Sequence, residues 1–162
     1  PETFTPLLRE ILSEYARHGA KKMVLLAGHA EDAQEGAMRE AALSLVNADP
    51  TLRILVIGPY AFLEPVRQRT GLVGRDGHAG SIETSEMLVI AEDRVYLDRM
   101  PQVTRPPLSR YQVSASPEAE FPTGVRGDTS KVSRTLGERA TSHTVAEIVR
   151  VLENLDAKGT EW

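Results

Sequence analysis

The sequence predicts an α/β fold with a mainly parallel sheet, because of the order and the character of its apolar segments. Two short apolar runs, 22–27 and 53–57, each lead into a glycine, as the buried strands of parallel sheets often do. Amphipathic helical patterns lie before and between these runs, at 6–18 and 35–46. This alternation of helix and strand predicts parallel strands with helices packed on them.

Each of the two predicted helices has apolar residues at helical spacing and a residue that ends it. In the first helix the apolar residues are Leu7, Leu8, Ile11, Leu12 and Tyr15. In the second helix they are Met38, Ala41, Ala42 and Leu45. Gly19 follows the first helix in the position of a C-cap, and Pro50 cannot continue the second. Both helices are therefore predicted to pack one face on the sheet.

The second half of the chain is less regular. Residues 71–80 are rich in glycine and lack apolar periodicity, which predicts a loop. Residues 82–91 are predicted to form a helix whose inward face carries Met87, Leu88 and Ile90. Residues 94–97 form either a short strand or a connection. The proline-rich segment 101–123 is predicted to be an extended, ordered excursion across the surface.

A long helix is predicted at the C-terminal end of the chain. Its apolar positions are Val132, Leu136, Val145, Ile148, Val149, Leu152 and Leu155. Residues 128–130, Asp-Thr-Ser, are of the types that start helices, and we place its beginning there. Gly137 is a candidate interruption of this helix.

Composition narrows the function classes. The chain has 162 residues, which fits one domain with a single core. A net charge of −4 gives little support to nucleic-acid binding. No apolar run approaches the ~20 residues that a membrane span needs. With zero cysteines, a metal would have to be bound by His, Asp and Glu, and we expect a cytoplasmic protein.

Two groups of residues can carry chemistry. His29 and Glu31 directly follow the first predicted strand, where open α/β sheets gather functional groups. They either bind a divalent metal or belong to an ordinary loop in which His29 caps the next helix. His78 lies in the glycine-rich loop between Asp76 and Glu83. Glu83 either takes part in this second site or only caps the helix that it begins.

Both groups occur in segments that resemble the creatininase (creatinine amidohydrolase) family. Residues 24–32, Val-Leu-Leu-Ala-Gly-His-Ala-Glu-Asp, resemble the family's apolar strand that runs into Asn-Gly-His. Residues 77–85, Gly-His-Ala-Gly-Ser-Ile-Glu-Thr-Ser, resemble its His-Ala/Gly-Gly-x-x-Glu-Thr-Ser motif. Residues 124–128 and 137–138 resemble its closing loop and helix. The resemblance extends over nearly the whole chain. It implies that 1–162 is the C-terminal portion of a single creatininase-like α/β domain.

The resemblance implies a three-layer α/β/α fold and a metal-dependent hydrolysis of an amide C–N bond. It implies a binuclear site of divalent metal ions, Zn or Mn with Fe as a further option. His29 and Glu31 are then metal ligands, His78 is the general acid/base, and Glu83 supports it or binds metal nearby. The residues assigned to substrate binding are Tyr60, Arg75 and Asp76. Arg75 either pairs with an anionic group of the substrate or is a solvated surface residue.

Two departures from the family pattern limit these implications. The family normally has a Glu-x-His-Gly-Pro segment and a following Asp, and neither is found in this chain. We therefore expect a complementary N-terminal chain that supplies Glu, His and Asp ligands, within a larger homo- or hetero-oligomer. In the family, creatininase uses aromatic residues, including tryptophans, around its flat substrate, whereas the single tryptophan of this chain is Trp162. This difference argues against creatinine itself as the substrate. Cyclic amides, formamides and small peptide-like amides stay open. The alternative is a non-catalytic subunit or pseudoenzyme that stabilises a partner.

Overall fold

The computed structural model describes residues 2–29, 32–102, 113, 115–116 and 121–157. The chain forms two compact units. Unit 1 comprises Pro1–Ala61 and Glu147–Trp162, and unit 2 comprises Phe62–Ala146. In the described part of the chain, no helix has the length and the apolar character that crossing a membrane requires.

Unit 1 begins with a helix–strand–helix–strand sequence. Its elements are α1 (Phe4–Arg17), β1 (Lys22–Leu26), α2 (Asp32–Ala48) and β2 (Arg53–Ile57). The two strands pair in parallel, from Lys22 opposite Arg53 to Leu26 opposite Ile57. All four elements lie where the apolar pattern predicts them, and the parallel pairing agrees with the predicted α/β class.

The core of unit 1 lies between the two helices and the sheet. It consists of Leu12, Met23, Ala41, Leu45 and Leu52. All four apolar residues predicted to face inward from α2 are buried. The prediction for α1 is partly wrong, since Leu7, Ile11 and Tyr15 are exposed. Helix α1 packs against α2, and a helix that packs along one stripe covers only that stripe.

Unit 2 contains the loop predicted at 71–80. A 3₁₀ turn at Pro59–Leu63 leads into α3 (Glu64–Thr70), which ends at Gly71 with φ of 70°. The loop is followed by α4 (Ser81–Ile90) and by 3₁₀ turns at Glu92–Arg94 and Leu97–Arg99. Residues 94–97 therefore form a connection and no strand.

The predicted inward face of α4 is wrong at two of its three positions. Leu88 is buried, but Met87 is 42% exposed and Ile90 is 71% exposed. The sides of α4 that are buried carry small residues, Ser81 and Ser85, besides Ile82. Hydroxyl groups there replace apolar side chains, so apolar periodicity does not mark the buried face.

The terminal helix α5 spans Arg134–Ala157. The predicted start at 128–130 is wrong, because Ser133 is the residue whose hydroxyl oxygen accepts a hydrogen bond from the Leu136 N–H, at 3.2 Å. Gly137 does not interrupt the helix. A Cβ atom there would collide with the backbone carbonyl of Ser85, so glycine lets α5 approach α4 closely. Most of the predicted excursion 101–123 lies outside the described residues.

Candidate active site

The loop that carries His78 is fixed by hydrogen bonds to the segment 121–128. The backbone N–H of Arg126 donates to the His78 carbonyl at 2.8 Å, and that of Asp128 donates to the Arg75 carbonyl at 2.7 Å. Gly127 has φ of 141°, and a Cβ atom there would lie 2.6 Å from the Gly77 nitrogen. Only glycine fits this approach without strain. The segment is therefore a backbone support for the loop.

His78 and Glu83 lie together in unit 2, as predicted. Nδ1 of His78 is 3.8 Å from Oε2 of Glu83, and the histidine side chain is 64% exposed. The same Oε2 accepts a hydrogen bond from the Ala79 N–H at 2.7 Å. Ala79 has φ of 51°, a left-handed conformation that is uncommon outside glycine and concentrates at functional sites. This arrangement presents the His78 imidazole to solvent beside a carboxylate fixed by the loop.

Asp76 lies inside the loop. Its side chain is 3% exposed and accepts a hydrogen bond from the Ile82 N–H at 3.2 Å, with the Arg67 guanidinium 3.8 Å away. Burial raises the pKa of Asp76, while the Ile82 N–H and Arg67 oppose that rise. These contacts favour a positioning role at the start of α4. The substrate-binding role assigned from the sequence stays a prediction.

Arg75 forms an ion pair with Asp128 in unit 2. Its Nη2 lies 2.7 Å from Oδ2 of Asp128, whose side chain is 4% exposed. Hydrogen bonds from Ser130 and Arg75 hold the pKa of Asp128 below its usual value. The Asp128 carbonyl also accepts hydrogen bonds from the N–H and the hydroxyl of Ser81. Arg75 is half exposed, and a contact with substrate stays a prediction.

Two acidic residues near this loop were missed by the sequence analysis. Asp128 was interpreted as the start of a helix, and it instead joins Arg75 to α4. Glu86 follows Glu83 by one helical turn, and burial, together with the nearby carboxylates of Glu83 and Asp76, raises its pKa. The i, i+3 spacing of Glu83 and Glu86 is the one signal that could have identified the second carboxylate.

Two other predicted residues, His29 and Tyr60, lie at the carboxyl edge of the sheet in unit 1. His29 and Tyr60 follow strands that end opposite each other, at Leu26 and Ile57, and the Ala27 N–H continues the pairing to the Ile57 carbonyl. His29 is exposed. Glu31 lies outside the described residues, so its predicted role as a ligand is without a structural description.

An acidic residue of unit 1, Glu35, also lies at this edge. The Glu35 carboxylate occupies the space that a side chain at residue 58 would fill, and Gly58 leaves that space open. Arg39 lies 3.7 Å from the Glu35 carboxylate. Glu35 was assigned no role from the sequence. Among the residues that the structure describes, no group of three or more His, Asp or Glu side chains is arranged to bind a metal.

The family to which the chain belongs follows from its match to a known family. A family model described as Creatininase: Creatinine amidohydrolase matches residues 1–152. The chain belongs to the creatininase family. The resemblance of the two motifs to this family is thereby confirmed.

Relatives of known sequence and structure agree with this assignment. A creatinine amidohydrolase of Pseudomonas putida is 34% identical over 152 residues, covering 84% of this chain and 56% of that protein. A crystal structure of creatinine amidohydrolase (creatininase) has a TM-score of 0.76 at 27% identity and covers 96% of this chain and 64% of that one. A structure named Creatininase Mn has a TM-score of 0.76 at 28% identity, with 96% and 65% covered. These likenesses confirm the creatininase-like α/β fold, and the chain spans 56% of the curated relative's length.

Proposed function

We propose that this chain is part of a metal-dependent amidohydrolase that cleaves an amide C–N bond of a small molecule. The observation that supports the proposal best is the fixed turn that presents His78 beside Glu83. It occurs in a motif of a family whose relatives are named creatinine amidohydrolase. A mutant creatininase complexed with creatine supports a small-molecule substrate. The substrate class comprises cyclic amides, formamides and small peptide-like amides.

Zn or Mn is the metal that we propose, with two ions in the complete site. Related structures are named for Mn and for a Zn-Zn type, which supports these ions, and Fe is the further option. The donor set of the chain fits in part. His29 offers an exposed imidazole at a sheet edge, and Glu31 follows two residues later. When bound, the metal supplies an activated water and polarises the amide carbonyl.

His78 is the proton carrier of the proposed mechanism. Its imidazole accepts the proton that the attacking water loses and delivers a proton to the amide nitrogen as the C–N bond breaks. Glu83 faces Nδ1 and favours the tautomer that carries a proton there. Arg75 and Tyr60 are proposed to contact the substrate, with Asp76 holding the loop from inside.

The remaining ligands are proposed to come from polypeptide outside these residues, either a separate N-terminal chain or another part of a longer one. The sheet supports this view. Val24 and Leu26 of β1 are 40% and 55% exposed, although parallel strands are usually covered on both faces. Among the described residues, the sheet has only β1 and β2, and two strands alone are marginally stable. We expect further polypeptide on this sheet, and an oligomer in the cytoplasm.

The decisive experiment uses the full-length protein with its natural partner chain, where one exists. We expect bound Zn or Mn by elemental analysis and hydrolysis of at least one amide in a panel from the three substrate groups. His78→Ala should retain the metal and lose about 10²–10⁴-fold in turnover, the usual contribution of a general acid/base. His18→Ala, an exposed histidine after α1, is the matched control and should change neither quantity.

A second candidate is a non-catalytic subunit that stabilises a partner. It is supported by the exposed Val24 and Leu26 of β1, which offer apolar surface to a partner. The same experiment separates the two candidates. A full-length protein that binds no transition metal and hydrolyses no amide of the panel would favour the non-catalytic subunit. Turnover that is unchanged in His78→Ala would instead remove His78 from the mechanism.

A further inference from the structure

A cavity of about 310 Å³ lies in unit 2, directly beside the loop that carries His78. Ala79 and Glu83 form its loop side, and Met87 lies one turn further along α4. The opposite side is formed by the connection after α4, with Tyr96 and Leu97 among its residues. The cavity therefore begins at the residue that follows His78.

The polar groups on the loop side of this cavity are occupied by hydrogen bonds within the loop. The Glu83 carboxylate accepts from the Ala79 N–H at 2.7 Å, and the Thr84 hydroxyl donates to the Ala79 carbonyl at 3.1 Å. Much of the remaining wall is apolar, and includes Met87, Leu97, Met100 and Val125. Arg94 also lines the cavity, and its Nε donates a hydrogen bond to the Asp93 carboxylate at 3.3 Å. A wall of this kind favours an apolar occupant, because burying apolar surface is favourable and no polar contact is lost.

One contact ties the cavity wall to the loop of His78, and a second restrains an aromatic side chain in the opposite wall. The Arg126 N–H is bonded to the His78 carbonyl, which places the neighbouring Val125 in the wall. The Arg99 guanidinium lies 4.6 Å from the centroid of the Tyr96 ring, a cation–π contact that restrains this aromatic side chain. A molecule whose reacting bond lies at His78 thus has a formed apolar cavity next to it.

We propose that this cavity is a subsite for an apolar group of the amide substrate, a proposal that rests on the proposed hydrolase function. The size suits a ring with a short linker, since an engineered cavity of about 150 Å³ binds benzene. The substrate class is then narrower than small amides in general. It comprises amides that carry an aromatic or branched aliphatic group close to the scissile C–N bond.

Binding of two matched amides tests the subsite in the full-length protein. Phenylacetamide and acetamide share the amide and differ in the phenyl group. We expect phenylacetamide to bind at least about ten-fold more tightly, as burial of one aromatic ring allows. With ¹³C-methyl methionine, ring-current shifts should appear at Met87 and Met100, which line the cavity. The buried Met23 and Met38 of unit 1 provide the internal control and should not shift.

A pair of substitutions locates the binding. Leu97→Glu adds a charge to the cavity wall at a residue that is 45% exposed. It should reduce the ten-fold preference for phenylacetamide to about one. Ile90→Glu adds the same charge on α4 at a residue that is 71% exposed and does not line the cavity. It should leave the preference unchanged.

The outcomes separate this proposal from the hydrolase function. Equal affinity for the two amides, or equal shifts at all four methionines, overturns the subsite even if the protein hydrolyses amides. The expected shifts in a metal-loaded protein that hydrolyses no amide support an apolar binding site and overturn the hydrolase. A preference that survives Leu97→Glu also overturns the subsite, because the phenyl group must then bind elsewhere.

Discussion

The two units support their functional residues in different ways. In unit 2, His78 lies on a loop whose backbone is bonded to residues 126 and 128. The Asp128 carboxylate accepts hydrogen bonds from Arg75 of this loop, and the Asp76 carboxylate accepts one from the Ile82 N–H of α4. In unit 1, His29 is exposed after a strand, and the apolar residues of β1 are partly uncovered. The difference indicates that unit 2 fixes the loop of His78 by its own contacts, whereas the described residues of unit 1 leave apolar side chains of β1 exposed.

Replacing one glycine by alanine in each unit should give the largest change in the free energy of unfolding and the clearest contrast between the two units. Gly137→Ala places a Cβ atom against the Ser85 carbonyl, and backbone atoms cannot move aside cheaply. We expect a loss of about 3 kcal/mol in the free energy of unfolding, as for overpacking. Gly36→Ala is the matched control in α2, where the added atom meets nothing within 4 Å. It should stabilise by about 0.5–1 kcal/mol.

Urea denaturation of the full-length protein measures both changes. Opposite signs are the expected result, since both substitutions improve helix propensity and only one creates a collision. A Gly137→Ala variant as stable as the parent would contradict the close approach of α5 to α4. The view that unit 2 is held by tight backbone packing would then be wrong.

The next largest effect should come from Asp128. Asp128→Ala leaves the Arg75 guanidinium and the Ser130 N–H without this carboxylate. We expect a cost of about 2 kcal/mol, within the range for hydrogen bonds to charged groups. Asp93→Ala removes an aspartate from an ion pair with Arg94 in which both side chains are at least 76% exposed. It should change stability by less than about 0.5 kcal/mol.

The same variant has a second readout in the loop. The Asp128 carbonyl still accepts its hydrogen bond from the Ser81 hydroxyl in this variant. The loop should therefore become more mobile without complete unfolding. Faster exchange of the Ala79 and Ile82 amide hydrogens would report this change. Unaltered exchange there would mean that the ion pair with Arg75 does not hold the loop, and the contrast between the units would weaken.

Apolar periodicity predicted the elements of unit 1 well, and it predicted the faces of helices less well. Helices α1 and α2 and both strands are where the pattern places them, because their buried residues are apolar. On α4, Ser81 and Ser85 are buried, and their hydroxyl oxygens accept hydrogen bonds from backbone N–H groups of residues 131 and 133, which are distant in sequence. A local pattern cannot show such bonds, so Met87 and Ile90 were wrongly placed inside.

The candidate site was predictable where its chemistry is local. His78 and Glu83 are five residues apart, and one turn brings them together. Asp128 reaches Arg75 across 53 residues, a pairing that only the fold creates.

The smallest predicted effects are two slopes of stability against pH, which should have opposite signs. Burial raises the pKa of Asp76 above 3.8, so its contribution is present below that pH and is lost as pH rises through the raised pKa. In unit 1, hydrogen bonds from Thr51 and Lys21 lower the pKa of Asp49 to about 2. Its contribution is present above 3.8 and is lost as pH falls toward 2.

Asparagine variants isolate these slopes, because an amide oxygen can still accept the Ile82 or Thr51 N–H but does not titrate. As pH rises from acid toward neutral, Asp76→Asn should become more stable relative to the parent. Over the range from about 2 to 4, Asp49→Asn should become less stable relative to the parent. Urea midpoints at constant ionic strength measure both. Slopes of the same sign would show that Asp76 is better solvated than its burial indicates, and that the loop of unit 2 is less tightly packed than its contacts indicate.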